Sequence, residues 1–347
     1  MKNEIELLKK LISTPSFSGE EAQTAQHIHN FLTSQGIIAN RLCNNVWAKN
    51  KFYSSEKPTL LLNSHHDTVK PAAAYSKDPF SPHIEDGKLY GLGSNDAGGS
   101  VVSLISVFCE HYNKHLPYNI ILAITAEEET IGKNGISILF PELGKIDCAI
   151  VGEPTLMQAA VAERGLIVLD CEMQGVSGHA ARNEGENAIY KAIDDIVWFK
   201  NYHFPKVSSQ MGEVKMTVTV VSAGIQHNVV PPECKFIVDI RPTDCYSNKE
   251  IVDIIRENVK STVTPRSLHL KASAIGNNHA LVETAKALKI PCYISPTTSD
   301  ISRIAVPAIK MGPGNSARSH TADEYIYIEE IENAIEIYTA FLNNLSL

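Results

Sequence analysis

Several histidines and acidic residues stand directly after short apolar segments or glycine-containing turns. In the segment LLNSHHDTV, residues 61–69, a run of leucines ends in His65, His66 and Asp67. The other candidates are Asp96 in GLGSNDAGG, Glu128 and Glu129 in TAEEET, Glu153 in VGEPT and His320 in ARSHTADEY. Taken singly, each has an ordinary structural explanation, as a hydrogen-bonded histidine, a turn or capping aspartate, or a solvated acid in a loop.

Taken together, these side chains favour a metal site. Carboxylates gathered in a partly dry crevice are costly to bury unless positive charge lies beside them. Histidine and carboxylate ligands suit a pair of Zn2+ ions, or similar divalent ions, roughly 3.5 to 4 Å apart. Because the set contains no cysteine, it favours a catalytic centre over a structural zinc site. Co2+ and Mn2+ accept similar ligands and are alternatives to Zn2+.

The apolar segments that precede these residues predict the strands of one sheet. The segments are TLLLNSHHD, NIILAITAEEE, DCAIVGEP and AIKMGPG, and a segment of helical spacing, GGSVVSLISVFCEHY, lies between the first two. Alternating strands and helices predict an α/β fold with a mixed, largely parallel sheet flanked by helices. In such sheets the functional crevice lies at the carboxyl ends of the strands, where this sequence has its acids and histidines.

From about Leu166 the pattern changes to that of a second domain. The predicted elements follow the order β-α-β-β-α-β, which is typical of a ferredoxin-like α+β fold. We therefore expect an inserted domain at residues 166–274 and a catalytic, metal-binding domain at residues 1–165 and 275–347. The chain length of 347 residues agrees with two domains, since one hydrophobic core rarely serves so long a chain.

The composition narrows the class of protein. The net charge of -8, from 39 acidic and 31 basic residues, disfavours nucleic-acid and anionic-membrane partners because both would repel the chain. Seven scattered cysteines, an odd number, favour reduced thiols over a disulfide framework. No segment approaches the roughly 18 apolar residues of a membrane-spanning helix, and the N-terminus is unlike a signal segment. We expect a soluble, cytoplasmic protein.

Five ordered motifs resemble those of the metallopeptidase and deacylase family that contains acetylornithine deacetylase, succinyl-diaminopimelate desuccinylase, aminoacylase and glutamate carboxypeptidase. The resemblance spans nearly the whole chain. The motifs are His65-His66-Asp67, DGKLYGLGSNDAGG, TAEEETIG, GEPT and GPGNSARSHTADEY. The family has two metal ions, and the resemblance implies the following ligands: His65 and Glu153 for one ion, Glu129 and His320 for the other, and Asp96 bridging both.

The resemblance also implies roles for two acids that are not ligands. Asp67 would orient His65 and raise its basicity, as carboxylates behind a metal ligand do. Glu128 would be the general base, which takes a proton from the attacking water and passes it to the departing amine. Two positions depart from the family pattern, since Glu127 replaces the usual aspartate and Leu92 replaces a common arginine.

Four residues outside the metal set are candidates for contact with the substrate. By the resemblance, His179 in GVSGHAARNEGENAI reaches the active site of a neighbouring subunit and stabilises the oxyanion, so that a homodimer, joined through the inserted lid domain, is part of the mechanism. Asn228 and Arg241 in HNVVPPECKFIVDIRP would bind the substrate, because arginine suits an α-carboxylate. Thr298 in SPTTSD is a further candidate. The structural alternatives are a strand-end ion pair for Arg241 and a plain turn for Thr298.

The preferred functional hypothesis is an amide hydrolase that removes the acyl group from an N-acyl-L-amino acid, as an N-acetylornithine or N-acetylcitrulline deacetylase of arginine biosynthesis. A succinyl-amino-acid desuccinylase, of the diaminopimelate or the ornithine and citrulline type, or a dipeptidase with the same dinuclear chemistry is the alternative. A non-catalytic binding protein is disfavoured because Glu128 and every ligand are present. A one-metal aminopeptidase with other ligands is a third hypothesis.

Overall fold

A computed structural model describes residues 2–347, which form two compact units. The first unit comprises the chain up to Val161, Ile275–Tyr293 and Ser299–Leu347, and the second comprises Ala162–Ala274 and Ile294–Thr298. The domain boundaries at 165/166 and 274/275 stay a prediction. No helix of residues 2–347 combines the length and the apolar character needed to cross a membrane.

The secondary structure alternates between helices and strands along much of the chain. The helices are α1 (Lys2–Ile12), α2 (Ala22–Ser34), α3 (Gly99–His111), α4 (Ile136–Leu139), α5 (Ala188–Asn201), α6 (Asn248–Asn258), α7 (Ala280–Ala287) and α8 (Ile328–Asn344). The strands are β1 (Ala39–Leu42), β2 (Asn45–Lys49), β3 (Thr59–His65), β4 (His83–Glu85), β5 (Lys88–Tyr90), β6 (Asn119–Thr125), β7 (Cys148–Val151), β8 (Ala159–Glu163), β9 (Ile167–Gln174), β10 (Gly178–His179), β11 (Lys215–Ala223), β12 (Val229–Val230), β13 (Glu233–Arg241), β14 (Thr262–Pro265), β15 (Ser273–Ala274), β16 (Cys292–Ser295), β17 (Ala308–Lys310) and β18 (Tyr325–Tyr327).

The central sheet of the first unit has a parallel core. Its strands lie in the order β1-β2-β6-β3-β7-β17-β8. The four middle strands β6, β3, β7 and β17 are parallel, whereas β1, β2 and β8 pair antiparallel. The predicted mixed, largely parallel sheet is therefore confirmed. Its parallel strands end at a common edge, as the position of the candidate residues requires.

Both faces of this sheet are covered, which explains the continuous apolar runs of its strands. Leu60, Leu61 and Leu62 on β3 have no exposed surface. Successive side chains of a strand point to opposite faces. Accordingly, Leu60 and Leu62 pack with residues of α1, α2, α3 and α8, whereas Leu61 packs with residues of α4 on the other face. A strand buried on both faces needs apolar residues at every position.

The second unit has the predicted ferredoxin-like arrangement. Its antiparallel sheet has the order β11-β13-β9-β14, and α5 and α6 supply the rest of its core. Asn187 caps α5 by accepting hydrogen bonds from the N–H groups of Ile189 and Tyr190, and Ser247 and Glu250 form a capping box at the start of α6. Such caps satisfy donors that the first helical turn leaves free. The predicted fold class is confirmed.

Candidate metal centre

The carboxyl ends of three adjacent parallel strands carry most of the candidate ligands. His65 is the last residue of β3 and lies in register with Thr125, the last residue of β6. The Glu128–Glu129 pair follows β6, and Glu153 follows β7 by two residues. Because β6, β3 and β7 are neighbours in the sheet, these side chains emerge at one edge of the first unit.

Asp96 lies between two histidines that come from distant parts of the chain. Its Oδ1 is 3.3 Å from Nε2 of His65, and its Oδ2 is 3.8 Å from Nε2 of His320. The two oxygens of one carboxylate therefore face different imidazoles. This is the arrangement that a bridging ligand between two cations requires.

Each histidine also has a second carboxylate beside it. Oε1 of Glu153 lies 3.8 Å from Nε2 of His65, and Oε2 of Glu129 lies 3.0 Å from Nε2 of His320. Ligand atoms of His65, Asp96 and Glu129 all lie within 4.8 Å of one another. The structure thus brings the five predicted ligands into one cluster, and their role as ligands stays a prediction.

The electrostatics of this cluster fit divalent cations. Burial raises the pKa of Glu153 to about 8, and the neighbouring carboxylate of Asp96 adds to that effect. Burial also raises the pKa of Glu128 well above its usual range. For His320, the hydrogen bond with Glu129 raises the pKa to about 9. Cations would stabilise these buried acids in their ionised form. The oxygen and nitrogen atoms of the cluster are donors that divalent cations such as zinc accept.

The tautomer of His65 also fits a metal ligand. Its Nδ1 lies 3.1 Å from the carbonyl oxygen of Asp67 and 3.4 Å from the Oδ1 atom of the same residue. Both atoms are acceptors, so Nδ1 is the nitrogen that carries a proton. Nε2 faces the carboxylates of Asp96 and Glu153, and the hydrogen bonds with Asp67 and Asp96 raise the pKa of His65 well above its usual range, against the effect of burial. A bound cation would take the place of the proton on Nε2, while Nδ1 keeps its own.

Asp67 holds the loop that carries the two glutamates. Its Oδ1 accepts a hydrogen bond from the N–H of Glu128 at 3.0 Å, and its Oδ2 accepts one from the N–H of Glu129 at 3.1 Å. The hydroxyl of Ser18 donates to Oδ2 at 2.6 Å. Burial would raise the pKa of Asp67, but hydrogen bonding to His65 and these donors outweighs it and holds the pKa at about 2. An ionised Asp67 therefore positions both His65 and the Glu128–Glu129 turn.

His66 has a structural role on the other side of β3. Its Nδ1 lies 2.9 Å from the hydroxyl of Thr24, and its Nε2 lies 2.9 Å from the carbonyl oxygen of Asn44. Burial lowers the pKa of His66 to about 4, so the ring is neutral near pH 7. The neutral ring joins β3 to α2 and to the turn before β2. His66 is not part of the metal cluster.

The side chain of Glu127 is bound within its own loop, between β6 and α4. Its carboxylate accepts hydrogen bonds from the backbone N–H of Asn134 at 3.0 Å and from the side-chain amide of Asn134 at 2.8 Å. The backbone of Glu127 is left-handed, with φ of 55°. A Cβ at Gly132 would lie 1.9 Å from Oε2 of Glu127, so only glycine fits there. Glu127 thus closes the loop between β6 and α4 through its own side chain.

The four candidates for substrate contact lie in the second unit, where the side chains of Arg241 and Thr298 already donate hydrogen bonds. Arg241 donates from Nε and Nη2 to both oxygens of Asp239, at 2.8 and 3.0 Å. This is the strand-end ion pair that the sequence offered as the structural alternative. The hydroxyl of Thr298 donates to the carbonyl oxygen of Arg164 at 3.0 Å. Asn228 and His179 are exposed. The role of all four in substrate binding stays a prediction.

Two buried acids near the cluster have no role in the predicted site. Glu324 is 2% exposed, and burial and the nearby Asp96 raise its pKa to about 8, against the effect of three backbone N–H donors. Asp300 is 3% exposed and accepts a hydrogen bond from the hydroxyl of Thr125 at 3.0 Å. Glu324 stands four residues after His320 in the same motif, so its position was a usable signal. Asp300 gave none.

Comparison with known proteins agrees with this site. The family model described as peptidase family M20/M25/M40 matches residues 61–344, which is most of the chain. The chain belongs to this peptidase family. It is therefore a metal-dependent hydrolase of the metallopeptidase and amidohydrolase type, and the resemblance inferred from the five motifs is confirmed.

Relatives and solved structures cover nearly the whole chain. The succinyl-diaminopimelate desuccinylases of Thioalkalivibrio sulfidiphilus and of Buchnera aphidicola are each 28% identical to it, over 388 and 380 residues, with 99% of both chains covered. The Bacillus subtilis YXEP protein, a dinuclear metal-binding peptidase of the M20 family, has a TM-score of 0.73 at 14% identity, with 98% of this chain and 97% of that chain covered. This last likeness supports the fold alone.

Replacing Asp67 tests how far this buried carboxylate organises the cluster. In Asp67→Ala the N–H groups of Glu128 and Glu129 and the ring of His65 lose their common acceptor. We expect zinc to bind about 10- to 100-fold more weakly, as is typical when a residue that orients a metal ligand is removed. Competition with a chromophoric chelator measures the dissociation constants.

The matched control is Asp147→Asn, since Asp147 accepts a backbone hydrogen bond from Thr59 at the opposite end of β3. This variant should bind zinc as the parent protein does. Equal zinc affinity in the Asp67→Ala variant and the parent would show that Asp67 does not position the ligands.

Proposed function

We propose that the chain hydrolyses the amide bond of N-succinyl-L-amino acids, with succinyl-diaminopimelate or a succinylated ornithine or citrulline as substrate. The observation that carries the hydrolytic part is the position of Asp96 between His65 and His320. The succinyl part is supported by two relatives named succinyl-diaminopimelate desuccinylase, to which the chain is similar over 99% of their length. An acetylornithine-type deacetylase of arginine biosynthesis is the weaker proposal, because none of these relatives supports it.

The cluster would hold two divalent cations, for which we propose zinc. One cation would be bound by His65 and Glu153, the other by Glu129 and His320, and Asp96 would touch both. When bound, such a pair polarises the substrate carbonyl and makes water more acidic. The open site of nitrogen and oxygen ligands leaves room for substrate and water.

Glu128 is the proposed general base. Its N–H donates to Asp67, next to that of Glu129. Its carboxyl group interacts electrostatically with His65, Glu129 and Glu153, which places it beside the proposed ligands. It takes a proton from the water whose oxygen adds to the amide carbon. The carbon–nitrogen bond then breaks, and Glu128 gives this proton to the departing amine. Burial, which raises the pKa of Glu128, favours the protonated intermediate state of this acid.

His179 is the proposed donor to the oxyanion. Its Nδ1 accepts a hydrogen bond from the N–H of Ala181 at 3.1 Å. In the neutral ring the proton therefore sits on Nε2, which is available to donate to a developing negative charge. We propose that this donor serves the active site of a second copy of the chain.

A homodimer is consistent with the surface of the second unit. Tyr190, Ile193 and Val197 follow helical spacing on α5 and are 71%, 47% and 48% exposed, and Val220 and Val221 are exposed on the edge strand β11. Apolar side chains grouped in this way are typical of an interface between subunits.

Asn228, Arg241 and Thr298 are the proposed contacts to the amino-acid part of the substrate. Because Asp239 occupies Nε and Nη2 of Arg241, a substrate carboxylate would bind at Nη1.

A panel of substrates tests the proposed specificity. Zinc-loaded protein is incubated with succinyl-diaminopimelate, succinylornithine, succinylcitrulline, acetylornithine and acetylcitrulline, and the free amine is measured. We expect kcat/KM for at least one succinylated substrate to exceed that for both acetylated ones by tenfold or more. A preference for acetylornithine or acetylcitrulline would overturn the succinyl assignment, and no turnover of any of them would overturn the proposed function.

Glu128→Gln tests the general base. The amide keeps the size of the side chain but cannot take up a proton, so kcat should fall by a factor on the order of a thousand or more while zinc stays bound. Metal content by mass spectrometry and initial rates give the two readouts, with the exposed Glu142→Gln as control. An unchanged rate, or loss of zinc together with the rate, would contradict the assignment.

Mixing two inactive variants tests whether His179 acts across a dimer. We expect Glu128→Gln and His179→Ala each to be nearly inactive, whereas a mixed dimer has one active site with both residues intact. After subunit exchange we expect about a quarter of the parent activity, since half of the dimers are mixed and each has one intact site. A mixture of Glu128→Gln with Asp96→Asn should stay inactive because both changes affect the metal cluster. No recovery in the first mixture would exclude action across subunits.

A further inference from the structure

We infer that Glu324 is a positioning residue, which holds the Asp96 loop in the shape that lets one carboxylate face both histidines. Glu324 comes from the segment between the Ser316–Arg318 turn and β18, and the loop it holds precedes α3. The inference rests on the proposed metal-binding role of Asp96. It concerns a residue that does not itself touch substrate or metal.

The carboxylate of Glu324 accepts three backbone hydrogen bonds from this loop. Its Oε1 accepts from the N–H of Asn95 at 2.8 Å and from that of Asp96 at 2.9 Å. Its Oε2 accepts from the N–H of Gly93 at 3.0 Å. With both oxygens occupied in a buried place, Glu324 is not free to act as a base or as a ligand. Its contacts instead fix the backbone at Gly93, at Asn95 and at Asp96 itself.

A carboxylate suits this position because the three groups of the loop that bond to it are all donors. Three N–H groups converge on a side chain that is 2% exposed, so water cannot replace a lost partner without entering the interior. An amide at position 324 would turn an N–H group toward at least one of these donors. The loop would then shift, and the side chain of Asp96 would shift with it.

The same segment also carries His320, so Glu324 links two ligand-bearing loops. The N–H of Gly91 donates to the carbonyl oxygen of Glu324 at 3.0 Å. Asn95 adds a second connection, since its side-chain amide donates to Ser319 at 3.3 Å, next to His320. The distance between the Asp96 carboxylate and the His320 ring therefore depends on how firmly these two loops are joined. Loss of these hydrogen bonds should weaken the binding of the cation that Asp96 and His320 are proposed to share.

Glu324→Gln tests this inference through metal binding. Metal-free protein is titrated with zinc against a chromophoric chelator, and the visible absorption of the cobalt-loaded protein reports the ligand geometry. We expect zinc to dissociate about 10- to 100-fold more readily and the cobalt bands to change in position or intensity. A folded variant, verified by circular dichroism, with zinc affinity within about twofold of the parent and unchanged cobalt bands would overturn the inference.

Asp323→Asn is the matched control, because Asp323 holds a different loop in the same way. Its carboxylate accepts hydrogen bonds from the N–H groups of Ser76 and Lys77 at 2.9 and 3.0 Å, and this loop carries none of the proposed ligands. The control should keep parent zinc affinity. Equal weakening in both variants would overturn the inference, since it would mean that any loosening of this segment releases the metal.

Two further variants separate the inference from the proposed function. If Glu324→Gln does not fold, Glu324→Asp is measured by the same criteria, since it keeps the charge on a side chain too short to reach all three donors. Asp96→Asn tests the proposed ligand directly. Parent zinc affinity in Asp96→Asn would overturn the ligand role and the inference with it. Weak binding in Asp96→Asn but parent binding in the Glu324 variant would overturn the inference alone.

Discussion

Carboxylates concentrated at the ends of parallel strands are the constraint on which the rest of the site depends. Asp96, Glu128, Glu129 and Glu153 meet at one edge of a sheet whose interior is apolar. The side chains of Asp96, Glu129 and Glu153 are only 13%, 8% and 12% exposed, so little of their charge reaches water. Cations would balance the charge of these carboxylates. His65 and His320 lie on either side of Asp96, so the cluster offers two places for a cation. A parallel sheet provides this geometry because its strands all deliver their following residues to the same edge.

Precise placement of these groups comes from buried carboxylates that accept backbone hydrogen bonds. Asp67 fixes the turn of Glu128 and Glu129, and Glu324 fixes the loop of Asp96. An ionised carboxylate can accept several N–H donors at once, which makes these bonds strong and directional. The acids proposed to bind cations are thus surrounded by further acids that shape the loops. Main-chain N–H groups stabilise both acids, and the His65 ring and the Ser18 hydroxyl add to this at Asp67.

The fold and the gathering of the ligands could be predicted from the sequence because their signals are local. Apolar runs ending in acids mark the parallel strands, and the β-α-β-β-α-β order marks the second unit. The partners of His66 and Glu324 could not be predicted, since they include backbone groups distant in the chain. Every residue except proline has the same backbone donor and acceptor, so the residue type does not indicate such a partner. The pairing of Arg241 with Asp239 was within reach, because residues two apart on a strand share a face. Specificity could not be predicted, as it depends on pocket shape.

Anomalous scattering from crystals of the zinc-loaded protein tests the central claim most directly. The account predicts two peaks roughly 3.5 to 4 Å apart, with the carboxylate of Asp96 touching both. One peak should lie beside His65 and Glu153, and the other beside Glu129 and His320. A single peak away from Asp96, or two peaks bound by other residues, would contradict it.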